Sequence, residues 1–147
     1  FHVPARLEQT IRSGIFSYTI NQSFDEVVRG CAEPAIGREE SWVGPAFRKA
    51  YSELHRMGYA QSFEVWHNGK LAGGLYGVRL GGFFAGESMF HRVRGASSVA
   101  LVLAVRYLIA ESCSLFDLQM VTPHTAKFGG IEVSRDEYLQ RLKRAIP

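Results

Sequence analysis

Three polar residues interrupt two apolar stretches of the sequence. Glu87 lies in "GGFFAGESMF", between Phe84 and Met89, while Asp117 and Gln119 lie in "SLFDLQM". Residues two apart on a strand point to the same face of a sheet, so the pattern predicts that the Asp117 and Gln119 side chains share one face. If the two stretches are neighbouring strands, all three side chains converge in a cleft. The alternative for each carboxylate is a strand edge that faces water.

Apolar side chains surround this predicted cluster. Leu75, Phe84, Met89 and Leu118 supply enough apolar surface to line part of a pocket. The same residues also fit a hydrophobic core, and for Phe84 and Met89 the core is the favoured interpretation.

Several other chemistries find no support in the sequence. The histidines are scattered without an HExxH pattern or cysteine partners at ligand spacing, so no metal site is predicted. "GESMF" lacks the final glycine of a nucleophile elbow, and a phosphate-binding GxxxxGK or GxGxxG pattern is absent. "RVRGAS", residues 92–97, approaches the loop that binds the coenzyme A pyrophosphate in N-acetyltransferases, but Ser97 replaces its last small apolar residue. The simplest interpretation of Ser97 is a residue at the start of a helix.

Length and composition are those of one ordinary globular domain spanning residues 1–147. The chain is 46% hydrophobic and carries a formal net charge of +3, which permits an anionic partner such as RNA without requiring one. Cys31 and Cys113 are far apart, which favours a reducing compartment. Neither a secretory signal nor a membrane-spanning stretch is recognisable, so we expect no membrane partner.

The elements that must position the polar cluster follow from periodicity and turn signals. Asn68-Gly69 between two β-rich runs predicts a hairpin, and residues 59–90 as a whole predict a three-stranded meander. Ser23 with Glu26 three residues later predicts a capping box at the start of a helix. We also expect helices over 4–12, 47–57, 96–111 and 135–145, a strand over 15–20 and a strand in "SLFDLQM". This order predicts an α+β fold with a mixed β-sheet flanked by helices, for which the acetyltransferase (GNAT-like) fold is one known solution.

The sequence resembles the leucyl/phenylalanyl-tRNA–protein transferase family. That family characteristically has "HSIEVW", "LVGGLYGV", "GESMFS", "NASK", "IDCQ", "HLASLGA" and "IPRxxF" in this order. Here the corresponding stretches are "QSFEVW", "LAGGLYGV", "GESMFH", "GASS", "FDLQ", "HTAKFGG" and "VSRDEY". The match runs nearly without gaps along the chain, although the family's N-terminal domain with its "WWSP" segment has no counterpart in these residues.

The resemblance implies a cytoplasmic bacterial aminoacyltransferase of the N-degron pathway of protein degradation. Such an enzyme moves Leu or Phe, sometimes Met, from aminoacyl-tRNA to the N-terminal Arg or Lys of an acceptor protein, without a metal or other cofactor. It implies that Asp117 holds the aminoacyl α-amino group, that Gln119 places the ester or the attacking amine, and that Glu87 lies at the acceptor and reaction centre. Candidate substrate-binding positions are Trp42, Leu75, Phe84, Met89, Ser97 and Thr122.

Departures from the family pattern leave alternatives open. The asparagine and lysine of "NASK" are replaced by Gly95 and Ser98, and Thr122 stands where Asn is usual. One alternative is a divergent acyl- or N-acetyltransferase that uses acyl-CoA or another activated donor, and another is a non-catalytic binding module. Basic residues could form a surface for the 3′ end of the tRNA, or simply a solvated face: Arg92, Arg94, Arg135, Arg141, Lys143 and Arg144.

Overall fold

A computed structural model describes residues 1–34 and 44–146 of the chain. Within these residues the chain forms five strands: β1 (Ser17–Ile20), β2 (Ala60–His67), β3 (Lys70–Leu80), β4 (Phe83–His91) and β5 (Leu115–Asp117). The helices in the same residues are α1 (Ala5–Arg12), α2 (Phe24–Ala32), α3 (Pro45–Arg56), α4 (Ala96–Ala110), α5 (Pro123–Ala126) and α6 (Arg135–Ala145).

The described strands form one mixed sheet in the order β1-β2-β3-β4-β5. Strands β1 to β4 pair antiparallel, while β5 pairs parallel to β4 after the crossover through α4. The meander predicted over 59–90 is confirmed, and Asn68 and Gly69 at its first turn both have positive φ, as a tight hairpin turn requires.

Helices cover both faces of this sheet. On one face α4 packs with α1 over Phe63, Leu75 and Phe84. On the other face α2 and α3 pack over a second core that includes Tyr76 and Phe90. Helix α4 is apolar on most of its circumference, because its inner side faces the sheet and much of the remainder is covered by α1 and the segment after β5. In the part of the chain described, no helix combines the length and apolar character needed to cross a bilayer.

The capping box predicted at Ser23 does not form. Helix α2 begins at Phe24 as expected, but the Ser23 side chain makes no capping hydrogen bond. Instead the backbone N–H of Ser23 donates to the buried carboxylate of Glu64 on β2, at 3.3 Å. The capping-box prediction was wrong: Glu64, rather than the predicted Glu26, accepts the Ser23 N–H, and the Ser23 hydroxyl accepts no N–H of the first turn.

Candidate active site at the split between two strands

The candidate site lies where β4 and β5 separate. The two strands pair only over Phe83–Ala85 and Leu115–Asp117, after which β5 ends while β4 continues to His91. The Gly86 carbonyl, which follows the paired region, accepts a hydrogen bond from the side-chain Nε2 of Gln119 at 3.1 Å. A side chain therefore takes over from the backbone ladder at the point where the two strands separate.

Glu87 is the extra residue of a β-bulge on this part of β4. Gly77 of β3 faces Gly86 and Tyr76 faces Ser88, so Glu87 has no partner in the ladder. A bulge re-aims the side chain of its extra residue and bends the strand, and bulges are common beside active sites. The bulge explains how a half-buried carboxylate fits among apolar neighbours, and the sequence alone gave no sign of it.

The Glu87 carboxylate contacts helix α3. The hydroxyl of Tyr51 donates a hydrogen bond to Glu87 Oε2 at 3.0 Å. Burial, together with the nearby Glu87 charge, raises the pKa of Tyr51 to about 12, so the phenol stays protonated and acts as a donor at neutral pH. Glu87 is thereby anchored by one oxygen.

Two glycines allow the close approach of backbone at the bulge. A Cβ on Gly77 would come within 2.2 Å of the Ala85 carbonyl oxygen, and a Cβ on Gly86 within 2.9 Å of the Phe116 ring. Real Cβ atoms do not approach backbone this closely, so any side chain at Gly77 would push β3 and β4 apart and displace the bulge. Lack of space for a side chain therefore explains why Gly77 of "LYGV" and Gly86 of "AGES" are glycines.

Asp117 and Gln119 are neighbours, but not in the way that the strand pattern predicted. Strand β5 ends at Asp117, and Gln119 has a left-handed backbone with φ of 67°. Asp117 Oδ1 accepts a hydrogen bond from the Gln119 N–H at 2.6 Å, which is the turn that Asp side chains favour. The expectation of two side chains on one face of a strand was therefore wrong, because the turn directs the Gln119 side chain back to Gly86.

Sequence reasoning missed Tyr138, which holds the other oxygen of Asp117. Tyr138 lies in the first turn of α6, and its hydroxyl donates to Asp117 Oδ2 at 2.7 Å. This hydrogen bond is the main reason that the pKa of Tyr138 is raised to about 12. No local signal in the sequence relates the two residues, because they are far apart in the chain and meet only when α6 docks on β5.

An apolar cavity of about 890 Å3 lies beside these polar groups. Asp117, Gln119 and Tyr138 form part of its wall. The apolar part comes from α4, β5 and the segment after β5, through Leu101, Val105, Phe116, Leu118 and Phe128. Of these, the sequence analysis had singled out only Leu118.

Three predicted pocket residues lie in the adjacent core instead. Leu75 and Phe84 are 1% and 0% exposed, and Met89 is half-buried against the same cluster. None of the three lines the cavity. Phe84 packs edge-to-face on Phe116, with ring centres 5.0 Å apart, so it supports the cavity wall from behind. Direct contact of these residues with a substrate stays a prediction.

The remaining predicted substrate-binding residues have local partners or lie outside the described residues. Ser97 is buried in the first turn of α4, with its Oγ 3.3 Å from Nδ1 of His91. Thr122 caps α5, because its hydroxyl accepts the backbone N–H of Thr125 and Thr125 reciprocates. Trp42 belongs to residues 35–43, which are outside the described ranges.

The predicted basic surface is only partly available to a partner. Arg92 pairs with Glu33 at 2.6 Å and lies over the Phe90 ring, while Arg141 pairs with Glu137. Arg135 and Arg141 line the cavity beside Asp117, and the other basic residues named for this surface are exposed: Arg94, Lys143 and Arg144. Within residues 1–34 and 44–146, no group of three or more His, Cys, Asp or Glu side chains is placed to hold a metal ion.

The chain is similar in sequence to proteins of one family. A family model described as leucyl/phenylalanyl-tRNA protein transferase matches residues 1–143. Proteins named leucyl/phenylalanyl-tRNA–protein transferase from Rhodopseudomonas palustris strain HaA2 and from Zymomonas mobilis are 49% and 48% identical over 146 residues, or 99% of this chain. The chain covers 65% of the former protein and 54% of the latter.

Solved structures of acetyltransferases share the fold. An aminoglycoside acetyltransferase from an uncultured soil metagenomic sample superposes with a TM-score of 0.60 at 18% identity, covering 81% of this chain and 93% of that one. A possible acetyltransferase from Clostridium difficile 630 gives 0.59 at 12% identity, covering 82% and 93%. The predicted α+β, GNAT-like fold is confirmed.

Proposed function

The chain belongs to the leucyl/phenylalanyl-tRNA–protein transferase family, and we propose that it moves Leu, Phe or Met from aminoacyl-tRNA to the N-terminal Arg or Lys of an acceptor protein. It spans less than two thirds of the length of the first relative above, so the activity of the whole protein is part of this proposal. The observation that carries it is that Gln119 joins the Asp117 turn to Gly86, the residue before Glu87, and that Asp117 and Gln119 line an apolar cavity.

On the donor side, the cavity supplies a site for the aminoacyl side chain. Leucine, phenylalanine and methionine are apolar, and their burial against Leu101, Val105 and Phe116 removes apolar surface from water. Asp117 in the same wall carries a carboxylate that can accept hydrogen bonds from the α-ammonium group. An apolar side chain next to an ammonium group is the part of an aminoacyl ester that this arrangement suits.

On the acceptor side, Glu87 receives the amine. Its carboxylate contacts α3 on one face of the sheet, while the donor cavity lies against α4 on the other. The amine therefore reaches the donor ester through the separation of β4 and β5, where Gln119 contacts Gly86. The amine nitrogen attacks the ester carbonyl carbon, an amide C–N bond forms, and the ester C–O bond breaks. Glu87 takes the proton that the amine loses, and the same proton balance is closed when the departing ribose oxygen of the tRNA gains a proton and leaves as a hydroxyl. A carboxylate also favours an acceptor whose N-terminal residue is cationic.

The reaction needs no cofactor in this proposal, because the aminoacyl ester is already activated. The protein's contribution is to align amine and ester and to provide a place for the proton. Arg135, an exposed basic residue that lines the cavity, would contact phosphates at the 3′ end of the tRNA. We expect this reaction in the cytoplasm, where aminoacyl-tRNA is made, and we expect a product with a new N-terminal Leu or Phe to enter an N-degron pathway.

The test is transfer of labelled phenylalanine from charged tRNA to a peptide that begins with Arg. We expect transfer by the wild type, loss of at least about tenfold in Asp117→Ala because an ion-paired hydrogen bond to the donor is lost, and little change in Asp136→Ala, an exposed carboxylate on α6. A peptide with an acetylated N-terminus should accept nothing.

Other outcomes favour the alternatives. Acyl transfer from an acyl-CoA but not from charged tRNA would overturn the proposal and indicate a CoA-dependent acyltransferase. Binding of charged tRNA without any transfer would indicate a non-catalytic binding module.

A further inference from the structure

Asp117 is held from two directions by donors of different origin. Oδ1 takes the N–H of Gln119 from its own turn, and Oδ2 takes the hydroxyl of Tyr138 from α6. A carboxylate offers about four acceptor positions on its two oxygens, so these two bonds fix its orientation and still leave room for a ligand. Both Asp117 and Tyr138 line the cavity.

The position of Tyr138 is set by the start of α6. Ser134 caps this helix, since its Oγ accepts the N–H of Glu137 at 3.2 Å and its carbonyl accepts the N–H of Tyr138 at 2.9 Å. The ring is half-buried, and its hydroxyl is the only side-chain group outside the Asp117 turn that hydrogen-bonds this carboxylate in the described residues. With its pKa raised to about 12, Tyr138 remains a hydrogen-bond donor across the neutral range.

We propose that Tyr138 is a positioning residue for the donor: its hydroxyl holds the Asp117 carboxylate in the orientation that binds the α-ammonium group of the aminoacyl ester. This role rests on the proposed function. It makes the closing helix part of the donor site, because the contact depends on the docking of α6 against β5. Asp117 binds the ammonium group equally before and during the transfer, so loss of its orientation weakens donor binding and leaves the chemical step nearly unchanged.

The decisive variant is Tyr138→Phe, which keeps the ring and removes the hydroxyl. We expect the KM for phenylalanyl-tRNA to rise about fivefold to tenfold and kcat to change less than about twofold. The rise is smaller than the loss of about tenfold or more for a whole hydrogen bond to a charged group, because Asp117 itself stays in place. Tyr107→Phe is the matched control, because that half-buried ring packs on Phe63 and no described residue hydrogen-bonds its hydroxyl. The control should leave both constants unchanged.

Two further variants separate positioning from a purely structural role. In an Asp117→Ala background, Tyr138→Phe should add less than about twofold to KM, because the hydroxyl acts only through that carboxylate. Ser134→Ala weakens the cap of α6 but keeps the hydroxyl, so it should lower Tm and leave KM within about twofold at a temperature where the variant is folded. Equal effects of Tyr138→Phe and Ser134→Ala on KM would overturn the proposal in favour of a structural role.

A binding measurement distinguishes failure of this role from failure of the proposed function. The probe is phenylalanyl-adenosine linked through a stable amide, with adenosine as the reference ligand. If Tyr138→Phe weakens binding of the probe but not of adenosine, the positioning role of Tyr138 is supported. If the wild type is active and the variant has the same KM and the same affinity for the probe, that role is overturned while the proposed function stands. A folded wild type that neither transfers phenylalanine nor binds the probe overturns the proposed function and this role together.

Discussion

Two carboxylates on the sheet differ in how completely their hydrogen bonds are used. Glu64 on β2 is fully buried, and its oxygens accept hydrogen bonds from the hydroxyls of Thr19 and Ser62, each at 2.5 Å. The backbone N–H groups of Gln22 and Ser23 add two longer contacts at 3.4 and 3.3 Å. Nothing is left for a ligand, so Glu64 fastens the turn between β1 and α2 to the middle of the sheet.

Glu87 presents the opposite case. It is half-buried at a bulge, and among the described residues only the Tyr51 hydroxyl donates to it. Glu64, surrounded by donors, is therefore structural, while Glu87, with acceptor positions to spare at the strand separation, is available for chemistry. Burial alone is therefore a poor guide to function here, because the more deeply buried carboxylate, Glu64, is the structural one.

The strongest test of this comparison is Glu87→Gln. We expect the rate of phenylalanine transfer to fall about 10²-fold to 10³-fold, because the amide cannot take the proton from the acceptor amine. The free energy of unfolding should change by less than about 1 kcal/mol, since the Tyr51 hydroxyl can donate to the amide oxygen. Single-turnover kinetics and urea unfolding measure the two effects. An unchanged rate would remove Glu87 from the reaction.

Glu64→Gln should show the reverse pattern. Replacing one acceptor oxygen by an NH2 group leaves buried donors unpaired and should lower the free energy of unfolding by about 2–4 kcal/mol. Transfer by the folded fraction should change less than about twofold. Urea unfolding supplies the measurement, and the Glu87→Gln variant is its matched control. A stable Glu64→Gln protein with impaired transfer would reverse the roles assigned to the two carboxylates.

Val105→Phe sharpens the comparison on the donor side. A phenyl ring in place of the isopropyl group of Val105 narrows the cavity and should exclude phenylalanine more than leucine. We expect the ratio of leucine to phenylalanine transferred to rise about tenfold. Competition between leucyl-tRNA and phenylalanyl-tRNA in one reaction gives this ratio directly and is independent of enzyme concentration. An unaltered ratio would mean that the aminoacyl side chain binds elsewhere.

The smallest expected effect concerns His124 of α5, whose ring packs edge-to-face on Phe128 in the cavity wall. Burial first, then the charges of Lys127 and His91, lowers the pKa of His124. Because the unfolded chain then binds more protons, this group stabilises the fold above about pH 6.5 and the contribution is lost as the pH falls through the lower folded-state pKa. His124→Gln should therefore lose less stability than the wild type between about pH 7.5 and about pH 5.5. Parallel losses in urea unfolding at these two pH values would contradict the assignment.

Much of the fold follows from local patterns in the sequence. The Asn68-Gly69 hairpin, the meander, the long helix after Gly95 and the helix capped by Ser134 all form where periodicity and turn residues predicted them. These features depend on residues a few positions apart, and the relevant interactions are already present in a short segment.

The site required contacts that no short segment contains. The sequence indicated Glu87, Asp117 and Gln119 by type, but it gave neither the bulge at Glu87 nor the turn that sends Gln119 back to Gly86. Register shifts and strand ends are decided by pairing with other strands, and so lie outside the reach of periodicity.

The partners of the two kinds of carboxylate were likewise decided only by the tertiary structure. The Ser23 N–H meets Glu64 instead of the predicted Glu26, and Asp117 meets Tyr138 from a helix that begins 18 residues later. Sequence chemistry determined which groups could act as donors and acceptors. Which donor meets which acceptor depended on how the helices dock on the sheet, because a buried polar group must find its partner wherever packing places one.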